Sequence, residues 1–552
     1  MIDFSKLTLP DIFADTLGKF GEKPAMSMAG EKPLSYQELH RRINAIIVFL
    51  EKAGIKPGDK VAILSVNLPN WGASYYAVTF MGAVVVPVLP DFHASEISNI
   101  LEHSESKAIF VSAGLLPKLD NGMPANPVMK IRIEDFSVIG DSNGNLLFDP
   151  DAVPQHEYPV NPDDLAAIIY TSGTTGKSKG VMLTHQNICF NAQMCARVQE
   201  VNETDRFLSI LPLSHTYENT IGLILPMSKG ACIYYIGKTP TPSVLLPALR
   251  EVKPTMMLTV PLIIEKVFRT QIKPKFTKNI ILRILIHMPY IRRKLNILAG
   301  RKLMATFGGE LRFFGIGGAK LNKTVERFLI EAKFPYAIGY GLTETSPLLA
   351  GSNPQITRLQ STGPPIEEIE LKINNPDPRT REGEIWARGL NVMKGYYKEP
   401  ELTAEIITPD GWLKTGDLGI LDKSGYLYIR GRLRNMIVRS GGENIYPEEI
   451  ESVINNFRHV IESLVIERKN KLVALVYFNL EEIERHHHHH LNLLHMKERG
   501  DYVKNEIEKL SAELLIYVRH RLNKFSQIQE VVLQTEPFEK TATQKIKRYL
   551  YI

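Results

Sequence analysis

The chain has 552 residues, 44% of them hydrophobic, and its 66 Lys and Arg against 60 Asp and Glu leave a net charge of +6. That length allows roughly three or four structural units and a large core without help from metal or disulfide. So modest a charge makes no case for nucleic acid. Cys189, Cys195 and Cys232 are too few for a disulfide framework and lack zinc spacing, and no apolar run is long enough to cross a bilayer. Met1–Lys6 shows no basic segment followed by an apolar one, so the expectation is a cytoplasmic chain without a signal peptide.

Helix and strand patterns alternate through residue 160. Ser35 and Glu38 form a capping box ahead of Leu39, Ile43, Ile46 and Leu50 at helical spacing, and Gly54 closes that helix. Apolar runs at 61–64, 83–88 and 107–111 read as buried strands. Alternation of this kind predicts an α/β fold with a largely parallel sheet. Next comes the densest stretch, residues 170–181, Tyr-Thr-Ser-Gly-Thr-Thr-Gly-Lys-Ser-Lys-Gly-Val, between an apolar strand at 165–169 and a second strand at 181–184. Its glycines let successive N–H groups face one point, and its hydroxyls and lysines add donors and charge, which suits a polyphosphate. A Walker loop is excluded, because Thr171 stands where that motif needs Gly and a strand follows rather than a helix. A polar hairpin without a ligand is the plain alternative.

Leu211-Pro-Leu-Ser-His215-Thr-Tyr-Glu218 follows; a lone histidine in such a segment is more often structural than functional. The apolar run Ile221–Met227 reads equally as core or as a pocket wall. Residues 266–309 hold eleven Lys and Arg and no Asp or Glu, interleaved with bulky apolar residues. That pattern suits a membrane-surface helix, a solvated basic face or a patch for phosphates. Adjacent glycines at Gly315-Ile-Gly317-Gly318-Ala319-Lys320 permit close backbone approach. Beyond Gly339–Thr345, Trp412–Asp417 and Tyr428–Arg432, a small α/β segment is expected. It has a helix starting at Pro447, a strand at 472–478 and an amphipathic helix marked by Ile507, Leu510, Leu514, Val518 and Leu522. The run His486–His490 reads as a solvent loop, with adventitious metal binding as the alternative.

Taken together, five of these motifs resemble, in order, those of the adenylate-forming superfamily, which includes acyl-CoA synthetases, peptide-synthetase adenylation domains and beetle luciferases. The likeness is strongest to long-chain fatty acyl-CoA synthetases, through the Leu-Pro-Leu-Ser-His segment and a basic insertion at the position of 266–309. The resemblance implies a large multi-layer N-terminal adenylation domain, 1–431, and a small mobile C-terminal α/β domain, 432–552, turning about Arg434, where the family usually has Asp or Lys. It implies that Thr171, Ser172, Gly173, Thr174, Thr175, Gly176 and Lys179 grip the phosphates of ATP, and that Glu344 and Thr171 hold Mg²⁺. Gly317, Gly318, Ala319, Tyr340 and Gly341 would take the adenine, Thr343 the α-phosphate, and Asp417 and Arg432 the ribose. His215 would stand beside the reacting carboxylate, and Gly441, Gly442 and Glu443 would line the channel for the thiol of coenzyme A. Lys545 falls on the adenylation lysine, with Gln544 where the family has Gly and the register set by Ile546 and Arg548.

The activity implied is ATP-dependent conversion of a fatty acid to acyl-AMP and then to acyl-CoA, with peripheral contact at the inner face of a membrane through 266–309. A fatty-acyl-AMP ligase serving a carrier protein is the first alternative. An inactive nucleotide-binding scaffold at a membrane surface is the second.

Overall fold

The capping box at Ser35 forms: Glu38 N–H donates to Ser35 Oγ at 3.1 Å and Ser35 N–H to Glu38 Oε2 at 2.7 Å. Helix Tyr36–Lys52 accordingly starts there and buries Leu39, Ile43, Ile46 and Leu50. The chain leaves it through Gly54 at φ +81°, a conformation that suits glycine. This computed structural model describes residues 7–120, 128–140, 146–171, 178–277, 285–438, 444–469, 471–480, 483, 496–522, 526–541 and 545–552.

The expected strands assemble into a seven-stranded sheet ordered Gly395–Tyr396, Lys179–Thr184, Leu165–Thr171, Val84–Val88, Lys60–Leu64, Ser106–Val111, Met129–Arg132. From Leu165–Thr171 onward the pairings are parallel, and the uninterrupted apolar run Val84–Val88 is buried on both faces. Leu165–Thr171 and Lys179–Thr184 pair antiparallel with Thr171 opposite Lys179, so the hydroxyl-rich stretch joins two adjacent strands.

An eight-stranded sheet takes the order Leu348–Gly351, Tyr336–Gly341, Phe313–Ile316, Met256–Thr259, Arg206–Ser209, Cys232–Tyr235, Pro24–Met28, Leu34–Ser35. Its inner pairings are parallel and both edge strands antiparallel. A four-stranded sheet of Glu370–Asn374, Gly383–Arg388, Leu413–Leu421 and Leu427–Arg432 completes this stretch of chain. The architecture is α/β, as expected.

The chain divides into two compact units, Met1–Lys372 with Trp386–Thr415 and Leu421–Tyr428, and Ile373–Ile385 with Gly416–Ile420 and Ile429–Ile552. Length suggests more units than these. The reason for two is that one apolar cluster includes Met26, Phe207 and Ile233 of the larger sheet together with Val61, Val85 and Phe110 of the seven-stranded one. Two sheets sharing a core make one body.

In the second unit, Val460–Arg468 pairs antiparallel with Lys471–Phe478, which pairs parallel with Glu530–Gln534. Ile450 and Ile454 of helix Pro447–Ile454 and Leu510, Leu514 and Val518 of helix Met496–Arg519 share a core with this sheet. That helix ends before Leu522, which packs beyond its last turn as a partly buried residue.

The basic stretch 266–309 forms no single helix. It runs through Phe268–Ile272, Lys273–Thr277 and Pro289–Thr306, while 278–284 lie outside the described residues. Part of it is internal structure: Gly300 packs on the backbone of Ala332, and Arg292 forks onto Glu331 at 2.8–3.1 Å. Among the described residues no helix is long and apolar enough to cross a membrane.

Candidate active site

Three of the motifs leave one sheet at the same edge. Arg206–Ser209, Phe313–Ile316 and Tyr336–Gly341 run in one direction. Hence Leu211–Glu218, Gly317–Lys320 and Leu342–Thr345 all emerge at the carboxyl edge, where open α/β sheets bind ligands. Gly317 is buried against Tyr217, whose Cζ a Cβ would meet at 3.1 Å, while Gly318 and Ala319 are exposed beside it. Gly341 is required by close approach, since a Cβ there would lie 1.8 Å from the carbonyl oxygen of Pro347.

The 3-10 turn Thr343–Thr345 is pinned by two fully buried asparagines. Asn391 Nδ2 donates to Thr345 O at 2.9 Å, and Asn191 Nδ2 to Leu348 O at 2.8 Å. Glu344, half-buried on that turn, accepts at Oε1 from the Tyr396 hydroxyl at 2.8 Å. Tyr396 lies opposite Val181 in the seven-stranded sheet, and Lys179 Nζ stands 5.3 Å from its ring centroid. The hairpin bearing Thr171 and Lys179 and the turn bearing Thr343 and Glu344 therefore meet across one tyrosine. Ser172, Gly173, Thr174, Thr175 and Gly176 lie outside the described residues.

Oxygen donors of this type suit Mg²⁺, which is commonly held by one or two carboxylates together with substrate phosphates. Glu344 Oε2 takes no hydrogen bond among the described residues. No group of three or more His, Cys, Asp or Glu among the described residues could hold a metal alone. A single carboxylate sharing the ion with a polyphosphate is the arrangement these residues fit.

His215 follows a tight turn in which its N–H donates to Pro212 O at 2.9 Å. Tyr217 N–H donates to His215 Nδ1 at 3.2 Å, so a neutral ring carries its proton on Nε2. Two residues on, Tyr217 begins the wall of an apolar cavity of about 50 Å³ whose lining includes Ile221, Leu225, Phe207, Met256 and Phe313. Gly315 and Gly339, which open the two glycine motifs, also line it. Ile221, Leu223, Ile224, Leu225 and Met227 all belong to the buried core, and Ile221 and Leu225 also line the cavity.

Asp417, Arg432 and Lys545 belong to the second unit. Asp417, with its side chain 6% exposed, is bridged by Arg432 Nε at 2.8 Å. Lys545 is exposed on a turn where Thr541 N–H donates to Lys545 O at 2.8 Å. Its neighbour Ile546 packs against a small core, and Arg548 pairs with the partly buried Glu451. These two anchors leave Lys545 facing outward. Gln544, Gly441, Gly442, Glu443 and the run His486–His490 lie outside the described residues.

A sequence profile described as AMP-binding enzyme matches residues 13–397. The chain belongs to the AMP-binding enzyme family. Within this adenylate-forming acyl-CoA ligase superfamily it is 30% identical over 482 residues to the long-chain-fatty-acid–CoA ligase FadD15 of Mycobacterium bovis, covering 81% of this chain and 77% of that one. It is 28% identical over 495 residues to the long-chain-fatty-acid–CoA ligase heimdall of Drosophila melanogaster, covering 81% and 72%. The fold matches that of O-succinylbenzoate coenzyme A synthetase (MenE) from Bacillus subtilis in complex with AMP, with a TM-score of 0.76 at 24% identity over 98% of this chain and 97% of that one.

For an AMP-binding enzyme the motif residues were readable in sequence, but their supports were not. Tyr396 carried a faint signal, the Gly395-Tyr396-Tyr397 run after a turn. Asn191 and Asn391 carried none, being single polar residues in otherwise apolar surroundings.

Proposed function

We propose that the protein activates a long-chain fatty acid with ATP to an acyl-adenylate and transfers the acyl group to coenzyme A, releasing AMP and pyrophosphate. The observation that carries this reading is the apolar cavity whose wall continues from the segment bearing His215. A tail and a carboxylate would find their separate partners on one stretch of chain. Ligand pockets run to about 300–1,000 Å³, so a long tail enters only as this wall opens.

A carboxylate is a poor acyl donor, because its charge repels nucleophiles and oxide is a poor leaving group. Attack of the acid oxygen on the α-phosphorus forms the acyl phosphate bond, and pyrophosphate leaves with the electron pair of the bond that breaks. His215, donating from Nε2, would hold the acid. Thr171, Ser172, Gly173, Thr174, Thr175, Gly176, Lys179 and Thr343 would donate to phosphate oxygens as charge develops there. Mg²⁺ on Glu344 and Thr171 would supply electrostatic neutralisation of that charge. Gly317, Gly318, Ala319, Tyr340 and Gly341 would receive the adenine, and Asp417 and Arg432 the ribose. The domain 432–552, turning about Arg434, would present Lys545 for adenylation and the loop of Gly441, Gly442 and Glu443 for the thiol. Helix Pro289–Thr306 would bring the cytoplasmic enzyme to the inner face of a membrane, since Tyr290, Lys294, Leu298 and Arg301 form an exposed stripe at helical spacing.

The test is incubation with palmitate, ATP and Mg²⁺, with and without coenzyme A, following AMP and the acyl product. Palmitoyl-CoA formed only when coenzyme A is present is the expected result. Acyl-AMP that coenzyme A does not consume would give the acyl group to a carrier protein instead, and absence of nucleotide turnover with any acid would leave a scaffold.

A further inference from the structure

Behind the cavity wall lies a polar group that the chemistry above does not use. Glu218 is 1% exposed and opens a π-helical segment, Glu218–Ile224, a rare geometry often found at functional sites. Its carboxyl packs on Gly222 one turn on, where a Cβ would meet the carboxyl carbon at 2.7 Å. Ser209 Oγ donates to Glu218 Oε1 at 2.6 Å, and Asn67 Nδ2 donates to Ser209 Oγ at 3.0 Å. The same Asn67 grips the backbone on the way to His215: Nδ2 donates to Leu211 O at 2.6 Å, and Leu213 N–H donates to Oδ1 at 3.0 Å. Tyr217, Ile221 and Leu225, on the same segment, line the cavity.

We propose that Glu218 is a positioning residue for the acid substrate, fixing through Ser209 and Asn67 both the turn that carries His215 and the cavity wall made by Tyr217, Ile221 and Leu225. This rests on the reading that the acid binds there. A carboxylate with one oxygen unpartnered among the described residues is costly in such surroundings, and an acid is not. Burial pushes the Glu218 carboxyl up to about 8, with the Ser209 hydrogen bond working the other way. The titratable groups facing it are Tyr235, from the strand Cys232–Tyr235, and Tyr217, both held neutral by burial. Ionisation in alkali would loosen the π-helical wall and the turn together.

The experiment compares wild type with Glu218→Ala, Asn67→Ala and Glu218→Gln in the full chain, by hydrogen exchange of 211–217 and by KM for palmitate and for ATP across pH. Glu218→Ala and Asn67→Ala are expected to speed exchange in 211–217 and to raise KM for palmitate about tenfold with KM for ATP little changed. Glu218→Gln, whose amide oxygen still accepts from Ser209, should restore both and lack the loss of palmitate affinity expected of wild type above about pH 8. Equal rises in both KM values, unchanged exchange in Glu218→Ala, or a Gln variant as poor as Ala would overturn the proposal. Exchange is read without turnover, so a wild type that adenylates no acid removes the functional reading and still leaves the positioning role decided.

Discussion

Tyr396 bears on the candidate site through its hydrogen bond to Glu344 and the Lys179 ammonium over its ring. A hydrogen bond to a carboxylate acceptor is worth about 1.5–3 kcal/mol, and this one fixes one oxygen of Glu344. Tyr396→Phe should keep the fold, because the ring still packs beneath Lys179, yet shift the Mg²⁺ dependence of the rate about tenfold upward. A titration with Mg²⁺ at saturating ATP checks this. Glu218 makes a second prediction at this scale. Its folded-state value of about 8 lies above the ordinary 4.5, so between those values the folded chain holds a proton that the unfolded chain has released. Stability from this group is present below 4.5 and is lost as pH rises toward 8. Glu218→Gln lacks that dependence, so its melting temperature should gain on wild type steadily from pH 5 to pH 8 and then level off. A gap that stays constant with pH would contradict the buried acid.

The elements show which patterns survive from sequence into structure. Helix Tyr36–Lys52 was legible because its cap and apolar face depend only on residues a few positions apart. The basic stretch was legible in charge but not in form, since the packing of its last helix depends on partners such as Ala332 and Glu331 far along the chain. Its exposed stripe permits a direct test. Tyr290 is 70% and Leu298 54% exposed, and Lys294 Nζ lies 4.5 Å from the Tyr290 ring. Each basic residue near an anionic surface contributes about 1 kcal/mol. Reversing two, Lys294→Glu with Arg301→Glu, should weaken binding to phosphatidylserine vesicles tenfold or more, on the order expected from that value. Co-sedimentation with purely phosphatidylcholine vesicles should not change.

For the whole molecule, the two compact units divide the proposed chemistry. The hairpin of Thr171 and Lys179, the turn of Glu344 and the segment of His215 belong to the first; Asp417, Arg432 and Lys545 belong to the second. Lys545 is set outward by Ile546 and Arg548, which are anchored inside the second unit, so its removal should leave that unit folded. Lys545→Ala is expected to lose acyl-AMP formation by about a hundredfold or more, in keeping with loss of a charge that acts on the transferring group. It should retain thioester formation from supplied acyl-AMP. Measuring the two half-reactions separately checks this, and equal loss in both would reject the assignment.

The sequence alone determined the family, the α/β class, the two strands on either side of 172–177 and the order of the motifs. Each of these is written in local spacing, where a glycine, a hydroxyl or an apolar residue has its meaning within a few positions. Only the tertiary structure decided that Tyr396 touches Glu344, that Asn191 and Asn391 pin the turn, and that Asn67, Ser209 and Glu218 form one line of hydrogen bonds. These partners are separated by 9 to 157 positions. Parallel strands bring such distant segments to one sheet edge, and hydrogen bonds of about 3 Å depend on the packing of whole layers rather than on neighbours in the chain.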